Sequence, residues 1–231
     1  MTEDLKAFRR RTAFVREPMY REGRFVTNPR LPEKVAEDGS FRPFFGDTVI
    51  FDLPEEDKAW LRGIQRRLYE ACGDMLAEPL DPASFHITLH DLNNATDAAS
   101  IAPAMAQSCE ASRALLAALP GDWAARVTST AVFNMVGTSI VLGFEPLEEA
   151  DCAALMGLYD AFQQVVPLSY ALTPHVTLAY YRPTDADHDA LQRLADALDA
   201  ANRELTPRVL PLINPRYSTF TDMNHYQPDP A

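Results

Sequence analysis

Two stretches of the chain share one order of hydrophobic and polar positions. Each begins with a run of β-branched and apolar residues, at 48–51 and 139–142, which predicts a strand. Apolar residues then recur every three or four positions, which predicts a helix with one apolar face. The first helical stripe contains Leu61, Ile64, Leu68, Cys72 and Met75, and the second contains Leu155, Leu158, Phe162 and Val166. A second strand follows each helix, at about 85–92 and 175–181, so the pattern predicts strand, helix, strand twice.

Local signals indicate where the remaining elements lie. The segments PEED at 54–57 and PLEE at 146–149 predict helix starts, because Pro fits a first turn and acidic side chains favour the positive end of a helix dipole. Further predicted elements are a helix at 96–119 containing Pro103, a strand at 124–134, a helix starting at 184–187, and closing strands at 208–213 and 216–220. Residues 17–47 are rich in Pro and Gly and predict an irregular segment, and the last residues predict a polar tail.

The duplication predicts one bilobal domain over residues 44–231, after a basic, Pro- and Gly-rich segment at 1–43. Its repeats lie around 48–92 and 139–181. A unit of this size cannot bury its apolar face alone, so two copies packed around an approximate two-fold axis would share a core and a common cleft. The chain contains no glycine-rich phosphate loop, which disfavours a doubly wound nucleotide-binding sheet.

Composition narrows the class of protein further. Of the 231 residues, 47% are hydrophobic and 23% are charged, as is typical of globular domains. No apolar run is long enough to span a membrane and the first residues do not resemble a signal peptide, so we expect a cytoplasmic protein without a membrane partner. The cysteines Cys72, Cys109 and Cys152 are widely spaced, which predicts buried thiols rather than disulfides or a zinc site.

The charge of the chain is negative and uneven. The net charge of −12 argues against binding long duplex nucleic acid, which depends on Lys and Arg neutralising many phosphates. A nucleotide or short RNA remains compatible with it. Residues 1–34 carry nine Lys and Arg against five Asp and Glu. This basic end could guide a phosphate-bearing ligand, but the general mobility of charged termini favours a solvated arm.

The candidate chemistry lies in a repeated tetrad, HITL at 86–89 and HVTL at 175–178. On a strand, alternate side chains share a face, so His86 lies beside Thr88 and His175 beside Thr177. Two imidazoles can act as general acid and general base near neutral pH, and two hydroxyls can donate hydrogen bonds to phosphate oxygens. These four residues are the candidate catalytic and phosphate-binding residues, and we expect no metal or other cofactor.

The tetrads, each placed after a strand and a helix, resemble those of the two-histidine (2H) phosphoesterase superfamily, which includes RNA 2′,3′-cyclic phosphodiesterases and 2′-5′ RNA ligase-like proteins. The resemblance covers about residues 44–222. It implies an α+β, bilobal, duplicated fold in which two antiparallel sheets with flanking helices enclose a central cleft. It implies a metal-independent phosphodiesterase acting on a cyclic phosphate or 2′-5′ linkage in a nucleotide or short RNA. By this similarity, His175 is the base toward water and His86 the acid toward the leaving hydroxyl.

Strand alternation extends the candidate site by two residues. It places His90 on the face of His86, and Tyr181 on the face of His175, as candidate substrate-binding residues. Tyr181 could stack on a nucleobase or pack at the rim, and His90 could instead be a structural residue with a partner such as Asp91. Phe44 and Phe45 could line the groove, although core packing is the favoured interpretation. His188 and His225 are not assigned to the site.

Three other functions remain open at this point. The same chemistry run in reverse would make an RNA 2′-5′ ligase. A non-catalytic module could use the cleft to hold a phosphorylated nucleotide. A metallohydrolase could use His86, His90 and His175 as ligands, although the chain lacks an HExxH-type motif. The sequence does not indicate an oligomeric state.

Overall fold

Two four-stranded antiparallel sheets form the body of the protein in the computed structural model, which describes residues 3–228. The helices are α1 (Leu5–Arg11), α2 (Glu55–Cys72), α3 (Ala98–Ala117), α4 (Glu149–Phe162) and α5 (His188–Glu204). The strands are β1 (Phe25–Val26), β2 (Phe45–Asp52), β3 (His86–Ala95), β4 (Ala124–Met135), β5 (Ser139–Pro146), β6 (His175–Tyr180), β7 (Asp185–Ala186), β8 (Val209–Ile213), β9 (Arg216–Phe220) and β10 (Tyr226–Pro228).

The sheet order places the two HxT strands where they can meet. The first sheet has the order β10-β9-β2-β3 and the second has the order β6-β5-β4-β8, while β1 and β7 form a separate two-stranded ribbon. Strands β3 and β6 are therefore edge strands of different sheets, and they contact each other. The predicted α+β class with two antiparallel sheets is confirmed.

The repeated units carry the same strand register. In each sheet the HxT strand pairs antiparallel with the strand that precedes its helix, β2 with β3 and β5 with β6. The Cα partners are Asp52 for His86, Ile50 for Thr88, Gly143 for His175 and Val141 for Thr177. Directly after each Thr the register shifts by one residue, so that Leu89 and Leu178 are the extra residues of two β-bulges.

The predicted apolar stripes become the core. On α2, Leu61, Ile64, Leu68 and Cys72 are all buried, and burying each Leu or Ile side chain stabilises the fold by about 1.5–3 kcal/mol. On α4, Leu155, Leu158 and Phe162 are buried likewise. One apolar cluster contains residues of both sheets, so the two units share a core.

The N-terminal segment packs on the body of the protein, and the interpretation as a solvated arm is wrong. Phe8, Phe25, Leu31 and Val35 are at most 1% exposed and belong to the shared core. Its arginines pair with the acidic body: Arg9 and Arg16 with Glu145, and Arg21 with Asp196 and Asp199. The basic end and the acidic remainder therefore attract each other within one chain. The boundary at residues 43–44 stays a prediction.

Several element ends differ from the sequence predictions. The fourth helix begins at Glu149 rather than near Pro146, because Glu148 and Asp151 form a capping box and Pro146 remains in β5. Residues 185–186 pair with β1, which delays the start of α5 to His188. In the expected polar tail, residues 226–228 instead form β10 of the first sheet, and residues 229–231 lie outside the described residues.

The three cysteines differ in their burial. Cys72 and Cys152 are buried, whereas Cys109 is half-buried. Within residues 3–228, every helix is too short or too polar to cross a lipid bilayer.

Candidate active site

A cavity of about 550 Å³ lies between the two lobes where β3 and β6 meet. The side chains of His86 and Thr88 line it from the first sheet, and those of His175 and Thr177 from the second. All four residues are half-buried. The alternating strand pattern explains this arrangement, because Ile87, Leu89, Val176 and Leu178 are buried. The cavity thus brings together two tetrads that are far apart in the sequence.

Both histidine rings are held by the same backbone contact. The Nδ1 atom of His86 lies 2.7 Å from the carbonyl oxygen of Ser84, and the Nδ1 atom of His175 lies 2.7 Å from that of Thr173. A carbonyl oxygen can only accept a hydrogen bond, so each Nδ1 donates. The Nε2 atom of each neutral ring then carries the lone pair, which allows it to accept a proton.

The surroundings make both rings poor at holding a positive charge. Burial is the main cause that lowers the pKa of His86 to about 4, and the nearby His175 and Arg216 act in the same direction. The contact with the Ser84 carbonyl and the Asp52 carboxylate oppose the decrease. Burial also lowers the pKa of His175, against the Thr173 contact and the Asp91 carboxylate. Both shifts favour the neutral form of the ring in the free protein. A bound phosphate anion would raise both pKa values, because an opposite charge stabilises the protonated ring.

The β-bulges decide which neighbouring residues reach the cavity. One extra residue reverses the side-chain alternation, so the residue three positions after each Thr takes the cavity face, instead of the residues two and four positions after it. Asp91 follows Thr88 in this way, and Tyr180 follows Thr177. Burial raises the pKa of Tyr180, and the neighbouring Thr177 hydroxyl opposes the rise.

The predicted position of Tyr181 is therefore wrong. Its side chain is fully buried and packs edge-on against Phe25, with ring centroids 4.7 Å apart. Its hydroxyl has no hydrogen-bond partner, and the residue does not line the cavity. The bulge at Leu178 turns Tyr181 to the core face and Tyr180 to the cavity face.

His90 is likewise displaced from the face of His86. It borders the cavity but is only 1% exposed, and its ring packs against Tyr159 with centroids 5.1 Å apart. Its Nδ1 lies 2.5 Å from the carbonyl oxygen of Asp91, which agrees with the structural interpretation. Within residues 3–228, no three His, Cys, Asp or Glu side chains form a group that could hold a metal ion, so His86, His90 and His175 do not make the alternative metal site.

Several cavity residues were not predicted from the sequence. Tyr226 packs on His86, with ring centroids 4.4 Å apart, and Tyr170 donates a 2.7 Å hydrogen bond to the Asp91 carboxylate. Lys34 enters from the N-terminal segment. That Asp91 lines the cavity could have been predicted only from the strand register, which shows the bulge at Leu89. Tyr226 and Lys34 carry no motif, because tertiary packing alone brings them to the cavity.

The two phenylalanines before the first strand have different environments. Phe44 is 2% exposed, as the core interpretation predicted, but it also lines the cavity. Phe45 begins β2 and is half-buried.

Comparison with known proteins supports the fold. No protein-family model matches the chain, and no curated protein matches it. The crystal structure of a conserved protein of unknown function, ATU0111 from Agrobacterium tumefaciens, is similar with a TM-score of 0.67 and 19% identity, over 94% of each chain. The two proteins share one fold along nearly their whole lengths.

More distant structural matches include two proteins crystallised with nucleotides. E. coli LigT in complex with 3′-AMP has a TM-score of 0.47 and 14% identity, over 80% of this chain and 95% of LigT. Kluyveromyces marxianus Usb1 with uridine monophosphate has a TM-score of 0.43 and 12% identity, over 83% and 99%. Likenesses this distant do not assign an activity, which has to be argued from the site.

Proposed function

We propose that this protein is a two-histidine phosphoesterase that hydrolyses a cyclic phosphate or 2′-5′ phosphodiester in a nucleotide or short RNA, without a metal. The observation that carries the proposal is the equivalent placement of the two tetrads. Each histidine has the same register position, the same Nδ1 contact and the same cavity in front of it. A site with two equivalent proton-transfer groups suits a reaction that takes one proton and gives another.

The proposed reaction needs only side chains of the cavity. One imidazole Nε2 takes a proton from water as the water oxygen bonds to phosphorus. The other imidazole, protonated when the anionic substrate binds, gives its proton to the leaving oxygen as the phosphorus–oxygen bond breaks. Thr88 and Thr177 donate hydrogen bonds to the non-bridging oxygens, where negative charge grows. One phosphodiester and one water thus give a phosphomonoester and a free hydroxyl.

The charges beside the rings favour His175 as the proton donor. The Asp91 carboxylate favours the protonated form of His175, whereas around His86 the effects of Asp52 and Arg216 oppose each other. Both rings favour the neutral form in the free protein, and His86, whose pKa is lowered to about 4, is the ring that we assign as the proton acceptor. This assignment is the reverse of the one implied by the family resemblance. The two assignments differ in which histidine variant a substrate with a good leaving group would rescue.

The test is turnover of purified protein in EDTA with 2′,3′-cyclic nucleotides, 2′-5′ oligoadenylates and cyclic dinucleotides. We expect hydrolysis of at least one class, and a loss of about 10²–10⁴-fold in rate for His86→Ala and for His175→Ala, the range of general acid–base catalysis. His188→Ala is the matched control, because His188 is exposed at the start of α5.

Each alternative function gives a different result in this assay. Tight nucleotide binding without turnover over hours would establish a binding module. Activity that EDTA abolishes would establish a metallohydrolase. Joining of 2′,3′-cyclic phosphate and 5′-hydroxyl RNA ends in preference to hydrolysis would establish the ligase direction.

A further inference from the structure

Lys34 places a positive charge in the cavity from outside the two repeated units. It follows a short 3₁₀ helix, Leu31–Glu33, in the N-terminal segment, and its side chain is half-buried. Its Nζ lies over the Phe44 ring, 4.9 Å from the centroid, and it lines the same cavity as the two histidines. A cation over an aromatic face is held in place without being neutralised.

The Lys34 ammonium has no carboxylate partner in the part of the chain that the structure describes. The nearby Arg30 pairs with Glu33, and Arg9 and Arg16 pair with Glu145. Burial lowers the pKa of Lys34, and the Asp91 carboxylate opposes this from beyond ion-pair distance. A desolvated cation without a counter-ion is costly. A Lys in this state inside a cavity is well placed to bind an anion.

A row of aromatic rings leads from His86 toward Lys34. Tyr226 packs on His86 at 4.4 Å, Phe220 on Tyr226 at 5.3 Å, and Phe44 stacks on Phe220 at 6.2 Å, between centroids. Lys34 lies at the Phe44 end. The rings of Tyr226, Phe220 and Phe44 form an aromatic wall of the cavity. Gly46 leaves room for this wall, because a Cβ at position 46 would come within 2.4 Å of the Phe220 ring. His86 and Lys34 therefore lie at opposite ends of this row of rings.

We infer that Lys34 binds a second phosphate, and that the preferred substrate is a short oligonucleotide rather than a mononucleotide. Aromatic side chains such as those of the wall stack on nucleobases whatever their sequence. Such a substrate would use all three features of the cavity. Its reacting phosphodiester would lie between His86 and His175, a base would stack on the aromatic wall, and the next phosphate would bind at Lys34. This inference rests on the proposed function for the first phosphate.

The experiment compares two dinucleotides ending in a 2′,3′-cyclic phosphate, one with a normal internal phosphodiester and one with a neutral methylphosphonate in its place. For the wild-type protein we expect kcat/KM to be about tenfold higher for the charged dinucleotide, since only the charged phosphate can make a charge-assisted hydrogen bond to Lys34. Lys34→Met should abolish that ratio, and Lys34→Arg should restore most of it. Lys6→Met, which removes an exposed charge from the same segment, is the control.

Two results would overturn the inference. One is a charged-to-neutral ratio near one in the wild-type protein; the other is a Lys34→Met variant that keeps the ratio while both substrates weaken together. The second outcome would mean that Lys34 only balances Asp91. If the wild-type protein turns over neither substrate, the proposed hydrolysis fails. Equilibrium binding of the same dinucleotides with a 3′-phosphate end then tests Lys34 by the same ratio.

Discussion

Tyr226 packs its ring against His86, with the centroids 4.4 Å apart and the ring planes tilted by 55°. Strand β10 makes this contact possible, because Tyr226 pairs with Phe220 at the edge of the first sheet. The Nδ1 bond to Ser84 fixes one edge of the imidazole, and Tyr226 packs on the ring itself. The Tyr226 ring therefore helps to position His86, a candidate catalytic residue that is far from it in the sequence.

Replacing Tyr226 should therefore lower kcat more than it raises KM. We expect about a tenfold loss of kcat for Tyr226→Ala, because a histidine ring that is free to turn spends less time in the reactive geometry. Tyr226→Phe should keep most of the activity, since the ring provides the packing. Steady-state kinetics of both variants measure this. Equal losses in the two variants would assign the effect to the hydroxyl instead.

The lowered histidine pKa values predict an activity optimum on the acid side of neutrality. The proton donor must be protonated, so kcat/KM should fall as pH rises above a donor pKa that lies below 6.5. The base must be neutral, so kcat/KM should also fall below a pH of about 4, the pKa of His86. The kcat profile should lie at higher pH, because bound phosphate raises both pKa values. A flat kcat/KM between pH 5 and 9 would contradict acid–base catalysis by these two histidines.

Exchanging the leaving group should identify the acid. A nitrophenyl phosphodiester releases a stable phenolate and needs no proton, so a variant lacking the donor should keep much of its activity on it. We expect His175→Gln to be rescued by this substrate and His86→Gln to remain inactive. Rescue of His86→Gln alone would restore the roles that the family resemblance implies.

Thr88 and Thr177 should contribute to catalysis in similar amounts. Replacing either by Val removes a hydroxyl from the cavity and changes the shape little, so we expect a loss of about 10–100-fold in kcat with little change in stability. Thr219→Val is the matched control, because Thr219 lies on β9 and does not line the cavity. Unchanged kcat in both variants would exclude the hydroxyls from phosphate binding.

Tyr181→Phe tests the bulge directly. The Tyr181 hydroxyl is fully buried and has no partner, so its removal should leave the free energy of unfolding unchanged or raise it by about 1 kcal/mol. Activity should stay the same, since the residue lies in the core. Denaturant unfolding and steady-state kinetics measure the two effects. A selective rise in KM would show that Tyr181 contacts substrate after all.

Local patterns were sufficient to predict most of the elements and the chemistry. The stripes of α2 and α4 and the alternation of the two tetrads depend only on neighbours in the sequence, because helix and strand periodicities are fixed by backbone geometry. For the same reason the sequence was sufficient to predict that His86 shares a strand face with Thr88, and His175 with Thr177. This alternation holds as far as the β-bulge that follows each Thr.

What lies beyond the tetrads was decided by tertiary structure. Leu89 and Leu178 shift the register against β2 and β5, and this moved His90 and Tyr181 out of the positions that simple alternation predicts. Sequence determined which residues could carry the chemistry. Only the packing of two sheet edges, the N-terminal segment and the last strand decided which side chains share a cavity, because contacts between distant segments leave no local periodic signal.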